Sequence, residues 1–230
     1  MTSGARRRIN IEKKDPLQWV RFVCGLAIYA FGTYFLVKAD LGLAPWEILA
    51  MGISYHCPLT FGQVIIAISI VIFIFDLIMR EKIGVGMIFD VFLVGTFADM
   101  FLKLDILPQL DGYIMRGAVY IAGLTIMCFG QFVCMSSAQG VGPRDAMLIG
   151  IGKRVRKVPI GAVQFAILLA AFLTGWALGG PAGIGTIISV AFMGSLLQLF
   201  CRIFRLEPRD VVHKSLADYF RAGKSGADEK

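Results

Sequence analysis

The sequence predicts an all-α polytopic membrane protein of about six transmembrane helices plus two short proline-led helices, re-entrant or half-spanning, arranged as a two-fold internal repeat. Three observations predict it. The 230-residue chain is 57% hydrophobic and 17% charged, with a mean hydropathy of +0.73, too apolar for a domain whose surface must be wetted by water. Six apolar segments, at 19–37, 62–79, 86–102, 117–136, 161–178 and 184–201, have the length of about 18 residues that crosses a hydrocarbon core of roughly 30 Å. The chain also matches itself at a fixed offset.

Taken in order, residues 1–18 form a basic tail expected in the cytoplasm, 19–103 a first membrane repeat, 104–116 an external linker, 117–203 a second repeat and 204–230 a cytoplasmic C-terminal tail. No small-residue cleavage motif follows the first apolar stretch, so it is expected to stay as a helix. The apolar pieces 45–55 and 143–152 each begin at a proline. At 1.5 Å per residue each is only about 15 to 18 Å long and does not span alone. The tail carries one amphipathic stretch, "HKSLADYF".

At an offset of 98, Gly25, Gly32, Gly42, Pro45 and Gly52 fall on Gly123, Gly130, Gly140, Pro143 and Gly150, and Glu47 falls on Asp145. One inserted residue makes the offset 99, where Gly62, Gly84, Gly86 and Gly95 meet Gly161, Gly183, Gly185 and Gly194. Apolar residues match by chance, but glycines and prolines in register across a whole half indicate duplication. With three crossings per half the second half is inverted, and if the short pieces cross, the halves are parallel. Six crossings leave only Lys38, Lys103 and Arg116 of the 23 Lys and Arg outside, as the positive-inside rule requires. Eight crossings separate the charges almost as well. Six are preferred, because non-helical backbone is tolerated at depth only where protein or water covers it. The loop "REK" at 80–82 separates the two models.

The repeated "GLAPWEIL" and "GVGPRDAM" each place a proline in a first helical turn, where its missing N–H costs nothing, and an acid near the positive end of the dipole. Glu47 and Asp145 in this position either stabilise helix starts only, or belong to two broken helices whose free ends line a solute site. The candidate binding residues are therefore Gly42, Pro45, Trp46 and Glu47 in one repeat and Gly140, Pro143, Arg144 and Asp145 in the other. An acid at the helix start favours a cation or amine over an anion. The second repeated signature, "GVGMIFDVFLVGTFAD" against "GIGTIISVAFMGSLLQ", aligns Asp90 with Ser189. An intramembrane carboxylate costs about 2.5 to 3.5 kcal/mol on insertion scales, so it faces protein or water. Asp90 and Ser189 join the candidates, against a structural role as a polar partner for another helix. Asp76 and Arg80 are expected to pair at a helix end, Gln131 to bond between helices in preference to lining a cavity, and Trp19, Tyr113 and Tyr120 to sit in an interfacial belt.

At these residues the chain resembles the YczE/YyaS/YitT-like family of bacterial integral membrane proteins, most closely its YczE branch. The resemblance rests on "RFVCGLAIYAFGTYFLVKADLGLAPWEILAMGIS", "LTFGQ" and "IGVGMIFDVFLVGTFAD" and covers residues 19–202. It implies a multi-pass protein of the bacterial inner membrane and assigns no catalytic or binding residue. The family's habitual threonine after the second glycine of the GxG turn is Met87 in the first repeat and Thr186 in the second.

The expected function is a small-solute transporter, with proton coupling as an option, and a site between the two repeats. The alternative is a non-transporting scaffold or regulator that recruits a partner through its cytoplasmic tail. No nucleophile and base pair, phosphate loop or metal spacing is present, so neither an enzyme nor a cofactor or metal is expected. The expected partners are the lipid bilayer and a small solute, with a homo-oligomer left open. Basic residues lie at the ends and in short loops rather than on one face, which argues against nucleic acid.

Overall fold

A computed structural model describes residues 16–81, 84–137, 139, 142–155 and 158–204. The expectations for the basic N-terminal tail up to residue 15, the C-terminal tail from 205, Lys82 of the "REK" loop and Gly140 lie outside the described residues. The described chain is all helical: α1 (Pro16–Ala39), α2 (Pro45–Ser54), α3 (Phe61–Ile78), α4 (Val85–Leu104), α5 (Tyr113–Ser136), α6 (Pro143–Arg154), α7 (Ile160–Ala177) and α8 (Ile184–Ile203). All except α2 and α6 are long and apolar enough to cross a membrane. Both exceptions start at the predicted prolines, Pro45 and Pro143, with the preceding residue extended, as proline's fixed φ and lack of an N–H favour.

The centre is the antiparallel pair α1 and α5. A Cβ on Gly25 would lie 3.1 Å from the Gly130 carbonyl oxygen, and one on Gly32 would lie 2.7 Å from that of Gly123. Small residues here let two backbones touch, which in lipid supplies the dispersion contact that drives helix association. Each central helix carries a parallel companion. Trp19 and Phe31 of α1 meet Phe89 and Phe101 of α4, and Phe129 and Phe132 of α5 meet Phe200 of α8.

The loops after α1 and α5 dock on the opposite half. The Gly185 N–H donates to the Leu41 carbonyl (2.8 Å), and the Gly86 N–H donates to the Gln139 carbonyl (3.2 Å). Positions related by the sequence offset thus make the same bond in both directions. Gly42 stands at φ 106° with the Gly183 nitrogen 2.5 Å from any added Cβ, so the turn needs glycine.

Each short helix packs on the end of a long one. Helix α2 packs on the last turn of α7 and the residues beyond, where Gly175 would place a Cβ 2.5 Å from the Leu49 Cα and Gly180 would place one 2.4 Å from the Ile48 carbonyl oxygen. Helix α6 meets the end of α3, where the Arg154 Nη2 donates to the Met79 carbonyl (2.8 Å). Arg80 and Glu81 therefore lie at the same end as the start of α1, since α4 begins at Val85 and Phe89 touches Trp19. Lys38, Asp40, Asp105 and Arg116 gather at the opposite end, as the pairs Lys38–Asp105 and Arg116–Asp40.

A candidate site where the two proline-led helices meet

The first turns of α2 and α6 converge beside Tyr29, midway between Gly25 and Gly32 on α1. Glu47 is 2% exposed. Its Oε1 accepts from the Tyr29 hydroxyl (3.1 Å) and from Arg144 Nη1 (3.3 Å). The Arg144 guanidinium also lies over the Trp46 ring, 5.1 Å from its centroid. A planar cation suits both contacts at once. Burial works to lower the Arg144 pKa, but the neighbouring Tyr29, Glu47 and Asp90 more than offset it and hold the guanidinium above its ordinary value.

Asp90 is half-buried on α4, with its Oδ2 2.9 Å from where a Gly142 Cβ would stand. The carboxyl thus faces the start of α6, where unpaired amides and the dipole favour negative charge. Asp145 is exposed in the first turn of the same helix. Pro45 and Pro143 are buried and set the two helix starts. Gly42 lies outside the cluster, in a small pocket with Leu36, Met51, Tyr55 and Pro181. Ser189 is fully buried and donates to the Thr186 carbonyl (2.8 Å).

The structure brings together Trp46, Glu47, Arg144, Asp90 and the start of α6. It does not place Asp145 on Glu47 as the repeat register pairs them. Instead the acid of one repeat meets the arginine one position away in the other. Sequence reading missed Tyr29, although a tyrosine in the middle of an apolar span is a usable signal that a polar partner lies opposite it. Three further expectations are corrected. Asp76 and Arg80 do not pair, because α3 ends at Ile78 and Arg80 turns away with φ 56°. Tyr120 is fully buried rather than interfacial and donates to the Gly185 carbonyl (2.5 Å). The Gln131 Oε1 is buried without a hydrogen-bond partner.

A family model described as a family of unknown function, DUF6198, matches residues 16–202. The chain belongs to this family. It is 34% identical over 188 residues to the uncharacterized membrane protein YczE of Bacillus subtilis, covering 79% of this chain and 84% of that protein. An uncharacterized protein of Haemophilus influenzae is 26% identical over 183 residues, covering 80% and 83%. The uncharacterized protein YyaS of Bacillus subtilis is 24% identical over 193 residues, covering 81% and 94%. No solved structure matches. The six long apolar helices, with the similarity to the membrane protein YczE, make the chain a multi-pass membrane protein. In this DUF6198 chain the position of the habitual threonine differs between the repeats in structure as well as in sequence. The Thr186 hydroxyl accepts from the Gly183 N–H (3.2 Å), while Met87 is buried and α4 begins with no side-chain cap.

Proposed function

We propose that this protein is a small-solute transporter of the bacterial cytoplasmic membrane, an inverted repeat with both termini cytoplasmic and its site at Glu47, Arg144, Trp46 and Asp90. The observation that supports this reading is the Glu47–Arg144 ion pair, which ties the broken-helix start of one half to that of the other. A charged solute that takes one partner of this pair loosens the joint between the halves, so occupancy is coupled to their relative movement. Arg144 suits a carboxylate or phosphate group and offers its planar fork to it. Glu47 and Asp90 suit an amine, and a zwitterion engages both. In this reading Asp90, facing the start of α6, takes the coupling proton as the pair exchanges.

Removing one partner of a buried pair leaves the other uncompensated and costs about 3 kcal/mol or more, while removing both is far milder. The informative variant is therefore the double change Glu47→Gln with Arg144→Gln. Purified protein should gain thermal stability with at least one compound from a panel of amino acids, amines and short carboxylates, since a ligand of the native state must raise its stability. The double variant should fold and lose that response, and flux of the same compound into proteoliposomes should stop. If the double variant instead responds and transports like the unmodified protein, the site is wrong. If no panel compound acts and deletion of residues 207–230 alone abolishes the biological effect, the protein is a scaffold. A cysteine placed at Arg80 should label only from the side of the N-terminus; labelling from the other side overturns the inverted arrangement.

A further inference from the structure

Asp76 lies two residues from the end of α3 and is 0% exposed. Both of its carboxylate oxygens are buried with no hydrogen-bond partner. Its setting has a counterpart in the second half. The offset of 99 places Asp76 where α7 has Gly175, and Gly175 is where α2 lies backbone to backbone on α7. The corresponding contact in the first half is that of α6 on α3. There Gly150 meets Met79 and Glu81 side chains, with the Glu81 Cγ 3.0 Å from a built Cβ. A carboxyl thus stands in the joint where its repeat counterpart has no side chain at all.

A charged carboxylate in that position, without donors or a counter-ion, costs several kcal/mol. It must be neutralised. The described charged groups at this end of α3 are Arg80 and Glu81 beyond the helix and Lys153 and Arg154 on α6; on α4 the first charged group, Asp90, faces Gly142. Glu81 already holds Lys153 (2.5 Å) and Arg154 (3.9 Å), and neither carboxylate oxygen of Asp76 has a hydrogen-bond partner. A metal ion demands several oxygens at once, and among the described residues no group of three His, Cys, Asp or Glu converges. A proton needs one oxygen only.

We propose that Asp76 is a proton-binding site built into the α3–α6 joint: with the proton bound α6 packs on α3, and on its release the charged carboxylate draws in water and α6 parts from α3. The step is the exchange of one proton between the carboxyl and solvent. It deepens the transport reading by supplying a coupling ion, yet its test does not depend on any solute.

Dicyclohexylcarbodiimide is the probe. It reacts with a protonated carboxyl in an apolar site: the proton passes to a carbodiimide nitrogen, the carboxyl oxygen bonds to the central carbon, and the adduct rearranges to an N-acylurea with no group lost. Peptide mapping of the full-length protein in detergent should find the adduct on Asp76 at acid pH. Its rate should fall about tenfold per pH unit once the site ionises, as the protonated fraction does. Amide hydrogen exchange, corrected for its intrinsic pH dependence, should show residues 146–154 losing protection over the same range. Asp76→Asn, a neutral near-isostere, should abolish the adduct and keep that protection at every pH. Absence of the adduct, or equal protection of α6 at all pH values in both proteins, overturns the proposal. So does a sodium-dependent rise in protection at fixed pH in the unmodified protein alone, which would make the ligand a metal ion. Loss of solute flux with these pH responses intact would sink the transport reading and leave this one standing.

Discussion

The two halves share a register of glycines but pack it differently. In the first half a Cβ on Gly62 would lie 2.0 Å from the Gly95 carbonyl oxygen, so α3 and α4 touch along their backbones. Thr60 and Gln63 close a capping box at the start of α3, and Asp99 of α4 accepts from the Gly62 N–H (2.7 Å) and from the Thr60 hydroxyl. In the second half a Cβ on Gly161 or Gly194 would meet nothing within 4 Å. Pro159 and Ala162 replace the capping pair, and Gln198 replaces the aspartate. At the joints between halves the order is reversed: Gly175 lets α2 lie against α7, while the Met79 and Glu81 side chains stand between the end of α3 and α6. A glycine match in register therefore does not by itself report a shared contact, and side chains around it decide whether the contact closes.

That contrast breaks most sharply at the glycines themselves. Gly95→Leu puts a branched side chain where the Gly62 oxygen lies 2.2 Å from the first added carbon, and backbone cannot yield as a flexible side chain does. Overpacking of this kind costs about 1–3 kcal/mol and more when backbone must move, so the variant should run as aggregate or unfold early in detergent. Gly194→Leu adds its side chain to open space and should behave as the unmodified protein does in size-exclusion profile and melting temperature. Equal damage from both changes would mean that α7 and α8 close together as α3 and α4 do.

Much of this was legible without coordinates, because the bilayer imposes it. Spans announce themselves by apolar length, and Pro45 and Pro143 mark helix starts through their own covalent geometry. The observed bounds differ from the sequence ranges by no more than a turn or so, mostly at helix ends that carry polar residues. The site was legible in part. The repeat register aligns Glu47 with Asp145 and Trp46 with Arg144, and two acids in equivalent places suggest equivalent roles. The antiparallel packing of α1 on α5 instead sets each helix start against the other, so Glu47 finds the neighbour of its counterpart. Local spacing misled at Asp76 as well. An acid and a base four apart pair only if the helix continues through both, and α3 stops between them. Whether a helix stops there depends on the left-handed turn at Arg80, which no periodicity encodes.

A smaller effect sharpens the comparison at the caps. Asp99→Asn leaves the shape of the α3–α4 contact and removes the charge that accepts two hydrogen bonds. Bonds to charged groups contribute about 1.5–3 kcal/mol, and the amide recovers part of that, so a loss of about 1 kcal/mol is expected in unfolding by SDS in mixed micelles. Gln198→Ala, at the matching place on α8, should change stability by less than about 0.5 kcal/mol, the usual range for substitutions away from such features. A larger loss at Gln198 than at Asp99 would reverse the assignment of the tighter half.

The smallest effects belong to the two ends of the molecule, where ion pairs stand in different surroundings. Lys38 and Asp105 pair with side chains 31% and 58% exposed, so solvent screens them and holding two long side chains in one geometry costs entropy. Pairs of this kind contribute about 0.2–1 kcal/mol. Lys38→Ala should therefore lower stability by less than about 1 kcal/mol, and salt should erase the difference, since at about 1 M the Debye length is roughly 3 Å. At the other end Lys153 and Arg154 share Glu81, whose side chain is only 10% exposed. Glu81→Gln leaves two cations without their acid, and more of its effect should persist in salt. If both changes respond to salt alike, the Glu81 cluster is as open to solvent as the Lys38 pair, and the closed joint between α3 and α6 that it borders does not form in detergent solution.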